Sequence, residues 1–149
     1  EARRTVWDLL PKALEDQRYL EDALRVEVDQ FASAGLEKSS FNTTGVRREL
    51  PSQVQVALLR VCQEALTNIR KHAKAINVEV RLDYSGDHVT LKVADDGMGF
   101  DVDSAREISA SGGFGLMAMR QRSDLIGGAF EVVSAVGRGT TVSAHAPIP

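Results

Sequence analysis

Val89-Thr90-Leu91-Lys92-Val93-Ala94-Asp95-Asp96-Gly97-Met98-Gly99 begins with alternating apolar and polar residues and ends in carboxylates and glycines. A period of two puts Val89, Leu91 and Val93 on one face of a strand. Gly97 and Gly99 let the backbone turn sharply where the strand ends and come close to a ligand. Asp95 stands at that point. A buried carboxylate there can accept a hydrogen bond from an exocyclic amine such as that of adenine. The same residues also read simply as a turn.

Upstream, Val78, Val80, Leu82 and Tyr84 alternate with polar residues. Ser85-Gly86-Asp87 joins this strand to the next as a hairpin. Before it, Val54, Leu58, Val61, Ala65 and Ile69 form one apolar stripe, predicting a helix from about Pro51 to Lys71. At about 100° per residue, Glu64 and Asn68 lie about 40° apart and Lys71 about 20° to the other side of Glu64, with His72 further round. A carboxylate, an amide and a cation thus share one face. Oxygen ligands of this kind suit Mg²⁺, which takes one or two from protein and the rest from phosphate and water. A solvated face with an i,i+4 hydrogen bond is the other reading.

Leu20, Leu24, Val28 and Phe31 recur at helical spacing and read as core, closed by Gly35. Residues 36–44 read as a short polar edge strand, and residues 1–10 as the end of a helix, with Pro11 ending it or opening the next one. Downstream, residues 100–113 have no clear period, as expected of a lid or binding loop. Gly112-Gly113-Phe114-Gly115 opens a helix running to Ile126, and amides at a helix start make an anion cradle. Gly127-Gly128 stops it. Strands at 129–134 and 140–146 complete the chain, joined by Ala135-Val136-Gly137-Arg138-Gly139.

Composition narrows the classes. With 149 residues, 43% hydrophobic and 26% charged, the chain is one domain, or a domain with an arm, and not a disordered segment. A net charge of −3 suggests no general affinity for nucleic acid or anionic membrane. One cysteine, Cys62, excludes an internal disulfide and any multi-cysteine metal site, and reads as an inert core thiol. No apolar run approaches the roughly 18 residues of a membrane span. The chain starts Glu1-Ala2-Arg3-Arg4, with neither signal-peptide pattern nor initiator methionine, and is expected to be a fragment of something longer.

Four segments carry a resemblance by their order. Glu64-Ala65-Leu66-Thr67-Asn68-Ile69-Arg70-Lys71-His72-Ala73 resembles the N box of the GHKL ATP-binding fold, shared by histidine kinases, gyrase B and MutL. Asp95-Asp96-Gly97-Met98-Gly99-Phe100-Asp101 resembles its G1 box, and Gly113-Phe114-Gly115-Leu116-Met117-Ala118-Met119-Arg120-Gln121-Arg122 its G2 box. Gly137-Arg138-Gly139-Thr140-Thr141-Val142 resembles its closing strand. Within that fold the chain is similar to NarX-like and DesK-like sensor histidine kinases, and residues 1–11 resemble the segment leaving their dimerisation helices.

The resemblance implies an α/β (α+β) two-layer sandwich of the Bergerat type. Its mixed, mostly antiparallel sheet would be covered on one face by about three helices, with a lid loop. Residues 1–13 would be a helix end and linker, and 14–149 the catalytic domain. The cofactors implied are ATP and Mg²⁺. Asn68 would hold the metal, and Glu64 would position water at it or accept a proton. Asp95 would recognise adenine, with Gly97, Gly99 and Thr140 shaping that pocket. Lys71 and His72 would lie towards the phosphates, Gly113 and Gly115 would be the lid hinge and phosphate-side backbone donors, and Leu116 would join the ATP-binding residues.

The implied activity is transfer of phosphate from ATP to a histidine on an upstream dimerisation helix of a homodimeric parent. Relay would follow to a response regulator with a helix-turn-helix output, with no direct contact to nucleic acid. The domain would be cytoplasmic, the parent soluble or membrane-anchored. None of His72, His88 and His145 has the setting of an acceptor; His72 reads equally as a phosphate contact or a packed histidine. An anti-sigma factor with serine-kinase activity, an ATP-driven clamp and a non-catalytic docking remnant are the alternatives. The dimerisation-helix remnant, the lack of a transducer domain and intact Glu64, Asn68 and Asp95 argue against them in turn.

Overall fold

The computed structural model describes residues 19–103 and 115–149. The segment 1–13, most of the expected lid at 100–113, and Gly113 lie outside the described residues. Helix α1 is Leu20–Ser33 and buries Leu20, Ala23, Leu24, Val28 and Phe31, the stripe that the sequence spacing predicts. Strand β1, Lys38–Thr44, follows. Helix α2, Ser52–Asn68, starts after Pro51, whose fixed φ suits a helix entry. Its buried side carries Val54, Leu58, Leu59, Val61, Cys62, Ala65 and Leu66.

The α-helix expected to reach Lys71 ends at Asn68. Ile69–Ala73 continue as a π-helical turn, and Lys74 stops it with φ 52. Strands β2, Asn77–Ser85, and β3, His88–Asp95, form the expected hairpin. Helix α3, Leu116–Leu125, is followed by β4, Ala129–Ser134, and β5, Thr140–Pro147.

The five strands make one sheet in the order β1-β2-β3-β5-β4. Among the described strands only β1 and β2 pair in parallel, because α2 carries the chain from the end of β1 back across the sheet, so that β2 starts beside the start of β1. The other pairs are antiparallel, with Leu82 opposite Leu91, Leu91 opposite Ala144 and Phe130 opposite Ala144. That row faces the helices. Leu58, Leu59, Leu82 and Leu91 are wholly buried between the layers, each stabilising the fold by about 1.5–3 kcal/mol. The opposite face is polar and carries Asn42, Arg81, Lys92, Ser143 and Glu131 across one row. A sheet with one covered face and three helices above it is the two-layer sandwich that the resemblance implies. The polar strand at residues 38–44 lies at an edge of the sheet.

Candidate functional site

The end of β3, the start of β5 and the end of α2 meet at one end of the sheet. Parity places the side chains. Val89, Leu91 and Val93 face the helix layer, so Asp95, two residues on, faces it too. On β5, Val142, Ala144 and Ala146 are buried, so Thr140 shares their face. Asp95 and Thr140 are direct partners in the β3–β5 ladder.

Above them α2 and its π turn contribute Ala65, Asn68, Ile69, His72 and Ala73 to a cavity of about 200 Å³. Val93, Val142, Met98, Phe100 and Leu116 complete its walls. A whole small-molecule pocket runs to roughly 300–1,000 Å³. The described residues enclose less than that. The cavity's lining is mostly apolar with Asp95, Asn68, His72 and Thr140 as polar points, the pattern of a site that orients a mostly apolar group.

Asp95 is half-buried, and loss of hydration pushes its carboxyl above the usual range. The backbone N–H groups of Gly97 and Thr140 pull it back down by hydrogen bonding to the carboxylate, and the charge of Asp96 adds to the rise. The Gly97 bond measures 2.7 Å. A carboxylate has about four lone-pair sites, so two backbone bonds leave it able to accept more.

Asp96 has the other parity and another task. It accepts bonds from Ile76 N–H, Asn77 N–H and Asn77 Nδ2 at 2.9, 2.9 and 2.8 Å. Those Asn77 and Ile76 donors hold its carboxyl below the usual range. It ties the start of β2 to the end of β3 and does not line the cavity.

The π turn sets the wall beside Asp95. The carbonyl of Ala73 accepts a bond from Met98 N–H at 2.7 Å. A Cβ on Gly97 would overlap that carbonyl oxygen, so the close approach requires glycine. On the other side Gly137 N–H bonds the carbonyl of Met98 at 2.6 Å. The loop after Asp95 is wedged between the π turn and the β4–β5 turn. Gly99 takes φ 63 there, against Ala135. Arg70 anchors the turn from behind: its guanidinium lies 4.0 Å over the Phe31 ring and bonds Glu37 and the Phe31 carbonyl.

Of the residues expected at a site, Asn68, His72, Asp95, Gly99, Leu116 and Thr140 line the cavity, and Gly97 supports its wall. Glu64 stands outside it, its carboxylate against Gly115, the αL residue that caps α3. Lys71 is not brought in. It lines a separate groove between α1 and α2 with Glu27, Gln63 and Thr67. Around α2, Ala65 and Asn68 lie about 100° and 40° to one side of Glu64, and beyond Asn68 the π turn carries Ile69, His72 and Ala73 into the cavity. The same turn leaves Lys71 on the groove beside α1.

Sequence reading passed over Ser134. Its Oγ accepts from Phe100 N–H at 2.9 Å, reaches the Gly139 carbonyl at 3.1 Å and lies 2.8 Å from Thr140 Oγ1. A signal existed, since Phe130 and Val132 pack inward and Ser134 is the polar residue next in that row.

Residues 53–149 match the model of the histidine kinase-, DNA gyrase B- and HSP90-like ATPases. The chain belongs to this ATPase family. It is 34% identical over 148 residues to the signal transduction histidine-protein kinase/phosphatase DegS of Brevibacillus brevis, covering 99% of this chain and 37% of that protein. It is 40% identical over 95 residues to the sensor histidine kinase LiaS of Bacillus subtilis, covering 64% of this chain and 25% of that one. The chain thus spans little more than a third of DegS and a quarter of LiaS.

Two solved structures share the fold at a TM-score of 0.69. The histidine kinase domain of the Erythrobacter litoralis blue-light activated kinase is 23% identical, over 95% of this chain and 67% of that one. The ATP-binding domain of PrrB from Mycobacterium tuberculosis is 20% identical, over 88% and 95%. The chain is an ATP-binding domain with the fold of histidine-kinase catalytic domains. No helix among the described residues is long and apolar enough to cross a membrane.

Proposed function

We propose that the chain is the catalytic domain of a sensor histidine kinase, binding Mg²⁺-ATP with the adenine in the cavity under α2. The observation that carries the reading is the half-buried carboxylate of Asp95 at the floor of an apolar slot. A base inserted between Ala65 and Ile69 above and Val93 and Val142 below would set its exocyclic amine against that acceptor. Calorimetric titration tests it: ATP should bind and GTP, which carries an oxygen in place of that amine, should bind at least tenfold more weakly. Equal affinities would overturn the base assignment.

The donor set fits Mg²⁺. No group of three His, Cys, Asp or Glu that could hold a metal occurs among the described residues. A nucleotide-borne Mg²⁺ needs only one or two protein oxygens. Asn68 offers its amide oxygen from the cavity's lining and Glu64 a carboxylate beside the start of α3. The bound cation neutralises phosphate charge. This chain's own part is to fix the base, align the phosphates with the amides at the start of α3, and hold a water or proton at Glu64. Phosphoryl transfer asks for positioning and charge neutralisation more than covalent help. Asn68→Ala should therefore reduce the Mg²⁺ dependence of ATP affinity while leaving adenosine affinity nearly unchanged. Equal losses for both ligands would make Asn68 a packing residue.

The acceptor histidine belongs elsewhere in the parent. His88 and His145 lie on β3 and β5 towards the opposite end of the sheet from Asp95, with ring centroids 5.5 Å apart. At about 3.3 Å per residue they stand roughly 17–23 Å from it along the strands. His72 is fixed in the π turn beside the base. In-line transfer needs a nucleophile opposite the leaving oxygen, so the acceptor arrives on a separate dimerisation helix. The reading extends to a homodimeric parent and to a response regulator, with a helix-turn-helix output, that takes the phosphate from it. The chain alone should acquire no acid-labile label from γ-labelled ATP, and a phosphoacceptor helix added in trans should acquire it slowly. Stoichiometric label on this chain, removed by mutating one of its three histidines, would overturn this division of labour.

A further inference from the structure

The hydroxyl of Ser134 joins three backbone and side-chain groups around the base cavity: Phe100 N–H, the Gly139 carbonyl and Thr140 Oγ1, at 2.9, 3.1 and 2.8 Å. A serine has one proton and two lone pairs. One arrangement satisfies all three contacts. Ser134 donates to the Gly139 carbonyl and accepts from Phe100 N–H and from the Thr140 hydroxyl. All its capacity is then spent on the walls of the cavity, and none on the ligand.

The groups it joins belong to different elements. Phe100 lies on the loop that leaves Asp95. Gly139 and Thr140 lead into β5, where Thr140 pairs with Asp95 and its N–H bonds the Asp95 carboxylate. Phe100 and Thr140 both line the cavity. Ser134 terminates β4 and pairs with Thr140 from the other side. This hydroxyl therefore ties the loop after β3 to the start of β5, beside the Met98–Gly137 backbone bond and the Asp95–Thr140 pair, and helps to set Asp95 relative to the cavity walls.

We propose that Ser134 is a positioning residue for the base end of the nucleotide, acting through Thr140 and Phe100. The inference rests on the adenine reading above. It predicts a loss at the base end only. Ser134→Ala should weaken adenosine, ADP and Mg²⁺-ATP by a common factor of about ten, the equivalent of one or two net hydrogen bonds. The Mg²⁺ dependence of ATP affinity should stay as it is. Ser134→Thr, which keeps the hydroxyl, should recover most of the affinity. Ser134→Cys nearly keeps the volume but bonds weakly, and should show the same roughly tenfold loss, which supplies the readout where the alanine variant does not fold.

The decisive measurement is a double-mutant cycle in calorimetry with Thr140→Val. If Ser134 acts through Thr140, the two losses are less than additive. Unchanged affinity in a folded Ser134→Ala or Ser134→Cys variant would overturn the proposal. So would a loss confined to the triphosphate, full additivity with Thr140→Val, or no recovery by threonine. A wild-type chain that binds neither adenosine nor ATP would instead overturn the adenine reading on which this rests, so the two failures are distinct.

Discussion

Asp95→Asn is expected to lower ATP affinity roughly ten- to a hundredfold while raising thermal stability at neutral pH. The amide is nearly the same size as the carboxylate and presents a donor where the adenine amine needs an acceptor. Losing a buried hydrogen bond to a charged group costs about 1.5–3 kcal/mol, and about 1.4 kcal/mol is tenfold. The stability gain comes from the same burial that makes the site. The carboxyl of Asp95 is raised above its ordinary value, desolvation being the largest cause.

A raised carboxyl means that the native state holds its proton more tightly than the unfolded state does. Its contribution to stability therefore falls as pH rises through the folded-state pKa, and is most favourable below it. At neutral pH the wild-type chain keeps a desolvated charge that asparagine lacks. The melting temperature of the variant should exceed that of the wild type near pH 7, and the gap should close as the solution is acidified towards and below about pH 4. Calorimetric titration and scanning across that range read both effects. An unaltered dissociation constant in the folded variant would remove Asp95 from the base site. A variant less stable at neutral pH would mean that the backbone bonds from Gly97 and Thr140 outweigh the desolvation.

Gly139→Ala is expected to cost about 2–5 kcal/mol of stability and to abolish measurable nucleotide binding in whatever remains folded. Gly139 has φ 73, and a Cβ there would overlap the carbonyl oxygen of Asp95. The left-handed conformation alone costs an alanine roughly 1–2 kcal/mol. The overlap adds to this because β5 must move away from the end of β3, opening the Asp95–Thr140 pair. For a domain of this size each kcal/mol is worth about 2–4 °C, so the melting temperature should fall by roughly 5–20 °C.

Gly137→Ala is the control. Gly137 has φ 82, but a Cβ there would meet open space. It should lose only the conformational part and keep its affinity for ATP. If both variants lost the same stability and the same affinity, the contact with Asp95 would not be what requires glycine at position 139.

Much of this architecture is legible in the chain because strands and helices carry their own periods. The alternations at 78–84 and 89–93, and the stripes at 20–31 and 54–69, report which side of each element is buried, and burial is a local property of the side chain. The edge position of the polar strand at 38–44 is legible for the same reason. The order of four short motifs is legible too, and points to the ATPase family that the comparison finds.

Other features depend on which elements meet. The strand order β1-β2-β3-β5-β4 and the parallel pairing of β1 with β2 are properties of chain crossings, and no residue encodes them by itself. The sequence places Glu64, Asn68 and Lys71 on one helical face. Only the packed structure shows that Asn68 lines the cavity while Glu64 stands against Gly115 and Lys71 lies beside α1.

The adjacent carboxylates show where the boundary falls. Strand parity, carried by the sequence alone, sends Asp95 to the helix side and Asp96 away from it. What each then does is decided by neighbours distant in sequence. Asp95 loses water under α2, which raises its carboxyl, whereas Asp96 meets the free amides at the start of β2, which lower its own. Ser134 is the extreme case: one hydroxyl near the end of the chain gains its role only because β4 ends against β5 and the loop after β3. Side-chain direction is set by local geometry, but desolvation and hydrogen-bond partners are set by whatever the fold brings into contact.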